Sequence, residues 1–364
     1  MSAPAPSPTS IARPDILSVE PYEHAAWNPS LERLHANELP WRNDADGSEA
    51  GLNRYPEPQP RALVRQLAEL YAQPPANVLV TRGSDEAIDL LTRAFCRAGV
   101  DQVLVCPPTF GMYGVAARIQ GAGVLRVPLN QARGFEYDAA AVLAACSPTV
   151  KLVYVCSPNN PTGNLVPEEI ILRLASQLAG RALLVVDEAY IEFADTQSCA
   201  RHLPTHPWLV VLRTLSKAYG LAGARCGVVL AHAEIIALLR RIVEPYNLTQ
   251  LSIEAVLRAL QPAARTAMHE RVAMIRDERA RLATALAQTA AVIRVWPSAA
   301  NFLLVEFAAP QRAFDQACAA GLLVRDVRRQ PGLERALRLT VGTPEQNRRL
   351  ITALRELTQL REVT

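Results

Sequence analysis

Seven short apolar runs, at 78–81, 103–106, 124–128, 152–156, 183–187, 209–213 and 227–230, alternate along this chain with stretches of helical periodicity at 84–96, 113–120, 139–146 and 167–178. Runs that are apolar at every position belong to strands covered on both faces, and strands separated by helices pair in parallel. The pattern therefore predicts an α/β fold: a large domain with a mostly parallel seven-stranded sheet flanked by helices. After residue 235 the pattern changes. It is helical through 290, gives strands at 292–296, 302–307, 322–327 and 337–341 around a helix near 312–320, and ends in a long helix after Pro344. This predicts a smaller α+β domain. The expected division is a disordered tail over 1–14, which carries four prolines, a large domain over 51–244, and a small domain with an N-terminal arm over 15–50 and 245–364.

Composition removes several classes of function. The 38 basic and 35 acidic residues of this 364-residue chain nearly cancel, to +3, and no basic cluster stands out, so a nucleic-acid partner is not expected. Apolar runs such as 182–186 are far shorter than the roughly 20 residues that cross a bilayer, and no secretory signal is visible, so no membrane partner is expected either. Seven cysteines, an odd number without a C-x-x-C pair, fit a reducing compartment and hence a cytoplasmic location. Among the basic residues only Lys151 and Lys217 are lysine; all the others are arginine. Arginine keeps its proton at any accessible pH, whereas lysine can lose it and form a Schiff base with an aldehyde. Lys151 opens a strand and reads as incidental. Lys217 does not.

Ligands of open α/β sheets bind beyond the carboxyl ends of the strands, and polar residues collect there in this chain. After 78–81 comes Arg82-Gly83-Ser84-Asp85-Glu86, a glycine turn opening a helix whose free N–H groups suit an anion, although Ser84 could equally cap that helix. After 152–156 comes Ser157-Pro158-Asn159-Asn160-Pro161-Thr162-Gly163, a constrained loop able to hold an amide in one orientation. Asp187 ends an apolar strand, with Tyr190 three residues on; a buried acid there needs a cation or donors, which a plain arginine pair could also supply. After 209–213, the hydroxyls of Thr214 and Ser216 flank Lys217, and Arg225 follows. An anion cradle, an amide, a buried carboxylate with a phenol, and a lysine beside phosphate ligands together match pyridoxal 5′-phosphate, whose ring needs each of them. The pair His202-x-x-x-His206 has metal-ligand spacing, but Pro204 disfavours the helix it requires and no metal is expected.

Asn160-Pro161-Thr162-Gly163, Asp187-x-x-Tyr190, Ser216-Lys217 and Arg225 resemble the fold-type I aminotransferases in order and spacing. Arg54-Tyr55-Pro56, Arg82 to Glu86, Cys156 to Gly163, Ala299-Ala300-Asn301-Phe302-Leu303 and Leu337 to Thr343 narrow the resemblance to the histidinol-phosphate aminotransferase branch, over nearly the whole chain from Pro21. The resemblance implies a pyridoxal-phosphate enzyme that moves an amino group between L-histidinol phosphate and 2-oxoglutarate, giving imidazole acetol phosphate and L-glutamate in histidine biosynthesis. It assigns Lys217 the Schiff base and the proton transfer, Asp187 the pyridine nitrogen, and Asn160 and Tyr190 the ring hydroxyl oxygen. Ser84, the Asp85 backbone, Thr214, Ser216 and Arg225 would hold the cofactor phosphate. Phe110 would stack on the ring at a position where many relatives have tyrosine. Tyr55 would reach the phosphate in the neighbouring subunit, which makes the active unit a homodimer. Tyr22, Arg325 and Arg338 match positions that receive the substrate phosphate or the glutamate carboxylate. Histidinol phosphate has no α-carboxylate, so the arginine that grips that group in other aminotransferases needs another task here. The alternatives on the same fold are an aromatic amino-acid aminotransferase and a phosphothreonine decarboxylase. A remoter one, a transcriptional regulator with an aminotransferase-like module, would need a DNA-binding domain. Only about 50 proline-rich residues precede the alternating region.

Overall fold

The computed structural model describes residues 6–24, 27, 28 and 30–359. Its elements follow in chain order as α1 (Pro14–Leu17), α2 (Arg61–Leu70), β1 (Val78–Thr81), α3 (Gly83–Phe95), β2 (Gln102–Val105), α4 (Met112–Gln120), β3 (Gly123–Arg126), α5 (Ala139–Ala145), β4 (Val150–Cys156), α6 (Glu168–Leu178), β5 (Leu183–Asp187), β6 (Leu209–Thr214), β7 (Gly227–Ala231), α7 (Ala233–Arg240), α8 (Gln250–Ala259), α9 (Pro262–Ala287), β8 (Val292–Val295), β9 (Phe302–Phe307), α10 (Pro310–Ala319), β10 (Arg325–Asp326), β11 (Ala336–Thr340) and α11 (Pro344–Gln359).

Strands β1–β7 form one sheet in the order β1-β7-β6-β5-β4-β2-β3, parallel except for β7, which runs antiparallel to β1 and β6. Side chains alternate across the sheet. Leu184 and Val211 therefore enter one core with Leu63, Leu67 and Val153, while Val185 and Val210 enter the other with Leu79, Ile88 and Leu91. Both faces are dry, which explains why the runs are apolar at every position. A four-stranded antiparallel sheet, β10-β11-β9-β8, carries the second unit, covered by α9, α10 and α11. The two units meet in a cluster of Tyr190, Phe193, Met268, Val272 and Phe302, and again where Trp296, Leu304 and Ala336 join the first core.

Four expectations change. Residues 6–14, expected as part of a disordered tail, form turns against the large unit. Ala12 is buried there, the Arg13 N–H donates to Ala94 O at 2.9 Å, and Ser7 bonds Glu234; residues 1–5 lie outside those described. The continuous helix expected from 235 to 290 is three helices. Pro245 has no N–H to continue α7, and Thr249 Oγ1 caps α8 by accepting the Ser252 N–H at 3.3 Å. α8, placed by expectation with the small domain, packs on α2, and its Ile253 and Val256 enter the same core as Leu63 and Leu67. The strand expected at 322–327 shortens to Arg325–Asp326, an edge strand paired only with β11. Among the described residues no helix is long and apolar enough to cross a membrane.

Candidate active site

The ends of β1, β4, β5 and β6 and the start of β7 open on one edge of the large sheet, and the side chains they carry line one cavity. Asp187 closes the fully buried β5 and is itself only 3% exposed. Among the described residues no arginine meets it. Its Oδ2 accepts the Tyr113 hydroxyl at 2.7 Å and its Oδ1 accepts the Ala189 N–H at 3.0 Å. Burial pushes this carboxyl up to about 6, while Tyr113 and Ala189 oppose the shift. Its neighbour Glu188 points the other way, into a buried pair with Arg213 at 3.3 Å that ties the ends of β5 and β6 together behind the cavity. Tyr113 escaped the sequence reading because an aromatic on the apolar stripe of a helix looks like core. No local cue marks it, because α4 follows a strand that ends in Val105 and Asp187 lies 74 positions further on.

Lys217 follows β6 and extends into the same cavity, with Nζ 5.5 Å from the centroid of the Tyr190 ring. Burial and the Arg338 charge lower its pKa from the usual lysine value, with Asp187 acting against them. Asn160 is held by the constrained loop after β4, in which Asn159 donates to Pro108 O at 2.9 Å and to Thr162 Oγ1 at 2.6 Å. From there the Asn160 amide donates to Tyr190 Oη at 3.3 Å and accepts from Arg338 at 2.5 Å. Burial raises the Tyr190 phenol, keeping it a proton donor.

The anion cradle forms where α3 begins. The residue at its N-cap is Arg82, which gives no side-chain cap, and Ser84 makes no capping bond, so the first-turn N–H groups at Ser84 and Asp85 are free to face the cavity they line. Across from them, Thr214 Oγ1 accepts the Ser216 N–H at 3.1 Å and lies 3.0 Å from Ser216 Oγ. Arg225, in the left-handed region at φ 51°, donates to Asp85 at 3.1 Å. Two glycines permit this approach. A Cβ on Gly83 would lie 2.6 Å from the Arg225 guanidinium, and one on Gly227 would lie 2.4 Å from the Gly83 carbonyl carbon.

Phe110 lines this cavity and the wider one beyond it, which Arg325, Arg329, Gln330 and Arg338 complete. Arg325 and Arg338 are cross-strand partners on β10 and β11. Like charges placed opposite one another repel unless an anion joins them. Buried next to Arg325, Arg338 has a lowered pKa, and its Nε has no hydrogen-bond partner. Arg329 and Gln330 were not anticipated from sequence. Tyr22 and Tyr55 are not brought to either cavity: Tyr22 is 67% exposed and packs edge-on to His24, and Tyr55 is 51% exposed and stacks on Tyr246 at 4.6 Å. His202 bonds Glu168 at 2.8 Å, and no group of three metal-ligating side chains occurs among the described residues.

The donor set of the first cavity fits pyridoxal phosphate: one lysine amine of lowered basicity, one buried carboxylate, an amide with a phenol, a bordering aromatic ring, and hydroxyls with free helix N–H groups for a phosphate. The profile of the family described as aminotransferase class I and II matches residues 28–354. The histidinol-phosphate aminotransferase of Xylella fastidiosa (strain 9a5c) is 51% identical over 326 residues, 89% of each chain. That of Stenotrophomonas maltophilia (strain R551-3) is 48% identical over 358 residues, 97% of this chain and 98% of its own. Among solved structures, the Sinorhizobium meliloti histidinol-phosphate aminotransferase in complex with pyridoxal 5′-phosphate superposes with a TM-score of 0.77 at 26% identity, covering 85% of this chain and 84% of that one.

Proposed function

The chain belongs to the class I and II aminotransferases, and on that premise we propose how its residues transfer an amino group between L-histidinol phosphate and 2-oxoglutarate in histidine biosynthesis. It is a pyridoxal-phosphate-dependent transaminase of fold type I. The observation that carries the reading of the site is the convergence of Lys217, Asp187, Asn160, Tyr190 and the α3 N-terminus on one cavity.

In the proposed assignment Lys217 Nζ would hold the cofactor covalently, Asp187 would serve the ring nitrogen, and Asn160 with Tyr190 would bind the ring hydroxyl oxygen. Phe110 covers the ring; its lack of a hydroxyl leaves stacking as its contribution. Ser84, the Asp85 N–H, Thr214, Ser216 and Arg225 bind the phosphate, with Arg225 turning from Asp85 toward the stronger anion. When bound, the cofactor supplies an aldehyde for amines and a ring that accepts the electron pair of the adjacent carbon. Once the substrate's amine has replaced it on the cofactor, the freed Lys217 Nζ would take the proton from the substrate carbon bearing nitrogen and give that proton back, a task suited to an amine whose basicity burial lowers. Arg325 and Arg338 receive the phosphate of histidinol phosphate in one half-reaction and the side-chain carboxylate of glutamate in the other. Their cross-strand repulsion favours a dianion between them. Arg338 also bonds Asn160 at 2.5 Å, which links the substrate's anionic end to the cofactor amide.

We assign the active unit as a homodimer in the cytoplasm. Support comes from the arm, where Tyr22, Leu31, Leu34, Leu39, Trp41, Leu52 and Tyr55 are all at least half exposed, an apolar surface that a second copy would cover. Tyr55, away from its own chain's cavity, is then available to the neighbouring subunit, and Tyr22 sits on the same arm. All seven cysteines are free thiols, which suits a reducing compartment. We further propose to divide the chain functionally near Gln261, between the large cofactor-holding unit and the small unit that brings Arg325 and Arg338.

The test is the visible absorption band of the purified protein and its bleaching by histidinol phosphate, with turnover compared against phenylalanine, tyrosine and phosphothreonine. Bleaching and fastest turnover with histidinol phosphate are expected. Preference for the aromatic amino acids, or loss of carbon dioxide from phosphothreonine, would overturn the substrate assignment.

A further inference from the structure

Tyr113 touches two of the side chains assigned to the ring without lining the cavity itself. It is fully buried in α4, stacks on Tyr154 of β4 with centroids 4.5 Å apart and planes 9° from parallel, and meets Phe110 edge-on at 5.6 Å. Among the described residues its hydroxyl is the only side-chain donor to Asp187, at 2.7 Å on Oδ2, while the Ala189 N–H occupies Oδ1. A carboxylate with one donor on each oxygen cannot rotate about its own bond without breaking both. The stacked pair anchors the phenol, because neither ring can move without opening the core around it.

We propose that Tyr113 is the positioning residue of the site, its phenol fixing the Asp187 carboxylate while its ring edge fixes Phe110, so that one buried side chain sets both the acid at the ring nitrogen and the ring cover. This rests on the reading that the cavity binds pyridoxal phosphate. The other groups that face Asp187 are Asp85 from α3, Cys156 and Tyr154 from β4, Tyr190 beyond β5 and Lys217 beyond β6. Of these only Lys217 favours the charged carboxylate, so loss of the phenol donor leaves the Ala189 N–H and Lys217 to support it.

Tyr113→Phe keeps the ring and both aromatic contacts and removes only the donor. The expected result is cofactor dissociation about tenfold stronger, since a hydrogen bond to a charged group is being lost. The pH midpoint of the bound cofactor's visible absorbance change should also move upward. With Asp187 less firmly charged, the ring nitrogen holds its proton less well, and the nitrogen at Lys217 keeps its own to higher pH. Tyr154→Phe, which removes a hydroxyl without a hydrogen-bond partner among the described residues, should leave both quantities unchanged. Should Tyr113→Phe fail to fold, 3-fluorotyrosine placed at 113 keeps the hydroxyl and sharpens its acidity, and should move the midpoint downward. Cofactor affinity and midpoint unmoved in Tyr113→Phe, or moved equally by Tyr154→Phe, would overturn the proposal. A second readout uses the cofactor-free protein: the Asp187 carboxyl, followed by infrared absorption, should titrate higher in Tyr113→Phe than in the parent. If the parent protein never takes up cofactor, the reading of the cavity fails, while this titration still decides whether Tyr113 holds the acid.

Discussion

At the scale of single residues, the site is assembled from groups whose protonation the fold has moved toward use. Lys217→Arg keeps a cation but loses the nucleophilic amine. It should retain cofactor through the phosphate contacts while losing the visible band and at least about 10³-fold in turnover, measured spectrophotometrically; unchanged turnover would remove Lys217 from the mechanism. Asp187 carries a stability cost that can be measured. Its folded pKa of about 6 stands above the ordinary 3.8, so the cofactor-free protein binds this proton more tightly than the unfolded chain does. The group's stabilising contribution is complete below about pH 4 and is lost as pH rises through about 6, reaching about 3 kcal/mol by neutrality. Cofactor-free Asp187→Asn should therefore gain melting temperature relative to the parent between about pH 4 and pH 7, then hold that gain. A difference independent of pH would show that burial of this charge is not the cause.

At the scale of elements, what matters is how closely backbones approach. The loop into α3 lies directly on the first residue of β7, where a Cβ on Gly227 would stand 2.5 Å from Ser84 N. Gly227→Ala must push these backbones apart, so we expect it to destabilise the protein by about 1–3 kcal/mol and to weaken cofactor phosphate binding, read by thermal denaturation and by equilibrium dialysis. Normal affinity in this variant would show that the cradle tolerates displacement. Register decides the second anion site in the same way. Arg325 and Arg338 are thirteen positions apart in sequence, and only the pairing of β10 with β11 makes them neighbours. The strand ends themselves were legible because an apolar run fixes where a buried strand stops. The edge strand β10 was not, since its exposed residues carry no burial pattern to read.

At the scale of the whole molecule, the small unit's β9 and β11 deliver Phe302 and Arg338 against Tyr190 and Asn160 of the large one. In the proposed assignment, substrate binding and cofactor binding thus meet at the seam between the two units. The exposed arm extends the question to a second copy. If Tyr55 serves the neighbouring subunit, then Lys217→Ala and Tyr55→Ala variants, each weakened alone, should regain part of the parent activity when unfolded and refolded together. In a mixed dimer one of the two cavities has both residues intact. No recovery, with a dimer verified by sedimentation, would place Tyr55 outside the shared site.

Local chemistry wrote much of this protein in its sequence. Continuous apolar runs required a sheet covered on both faces, and a lysine spared in an arginine-rich chain pointed to the amine proposed here as reactive. Polar residues following the runs marked the edge where the cavity opens. Each of these follows from a residue and its near neighbours in the chain, where periodicity and intrinsic acidity operate. Tertiary structure alone decided that Asp187 meets the Tyr113 phenol rather than an arginine, that two arginines confront each other across an edge strand, that residues 6–14 are packed, and that Tyr22 and Tyr55 stand away from their own cavity. Those outcomes depend on which distant surfaces come into contact, and burial, which sets both the partners and the proton affinity of a side chain, is a property of the assembled fold.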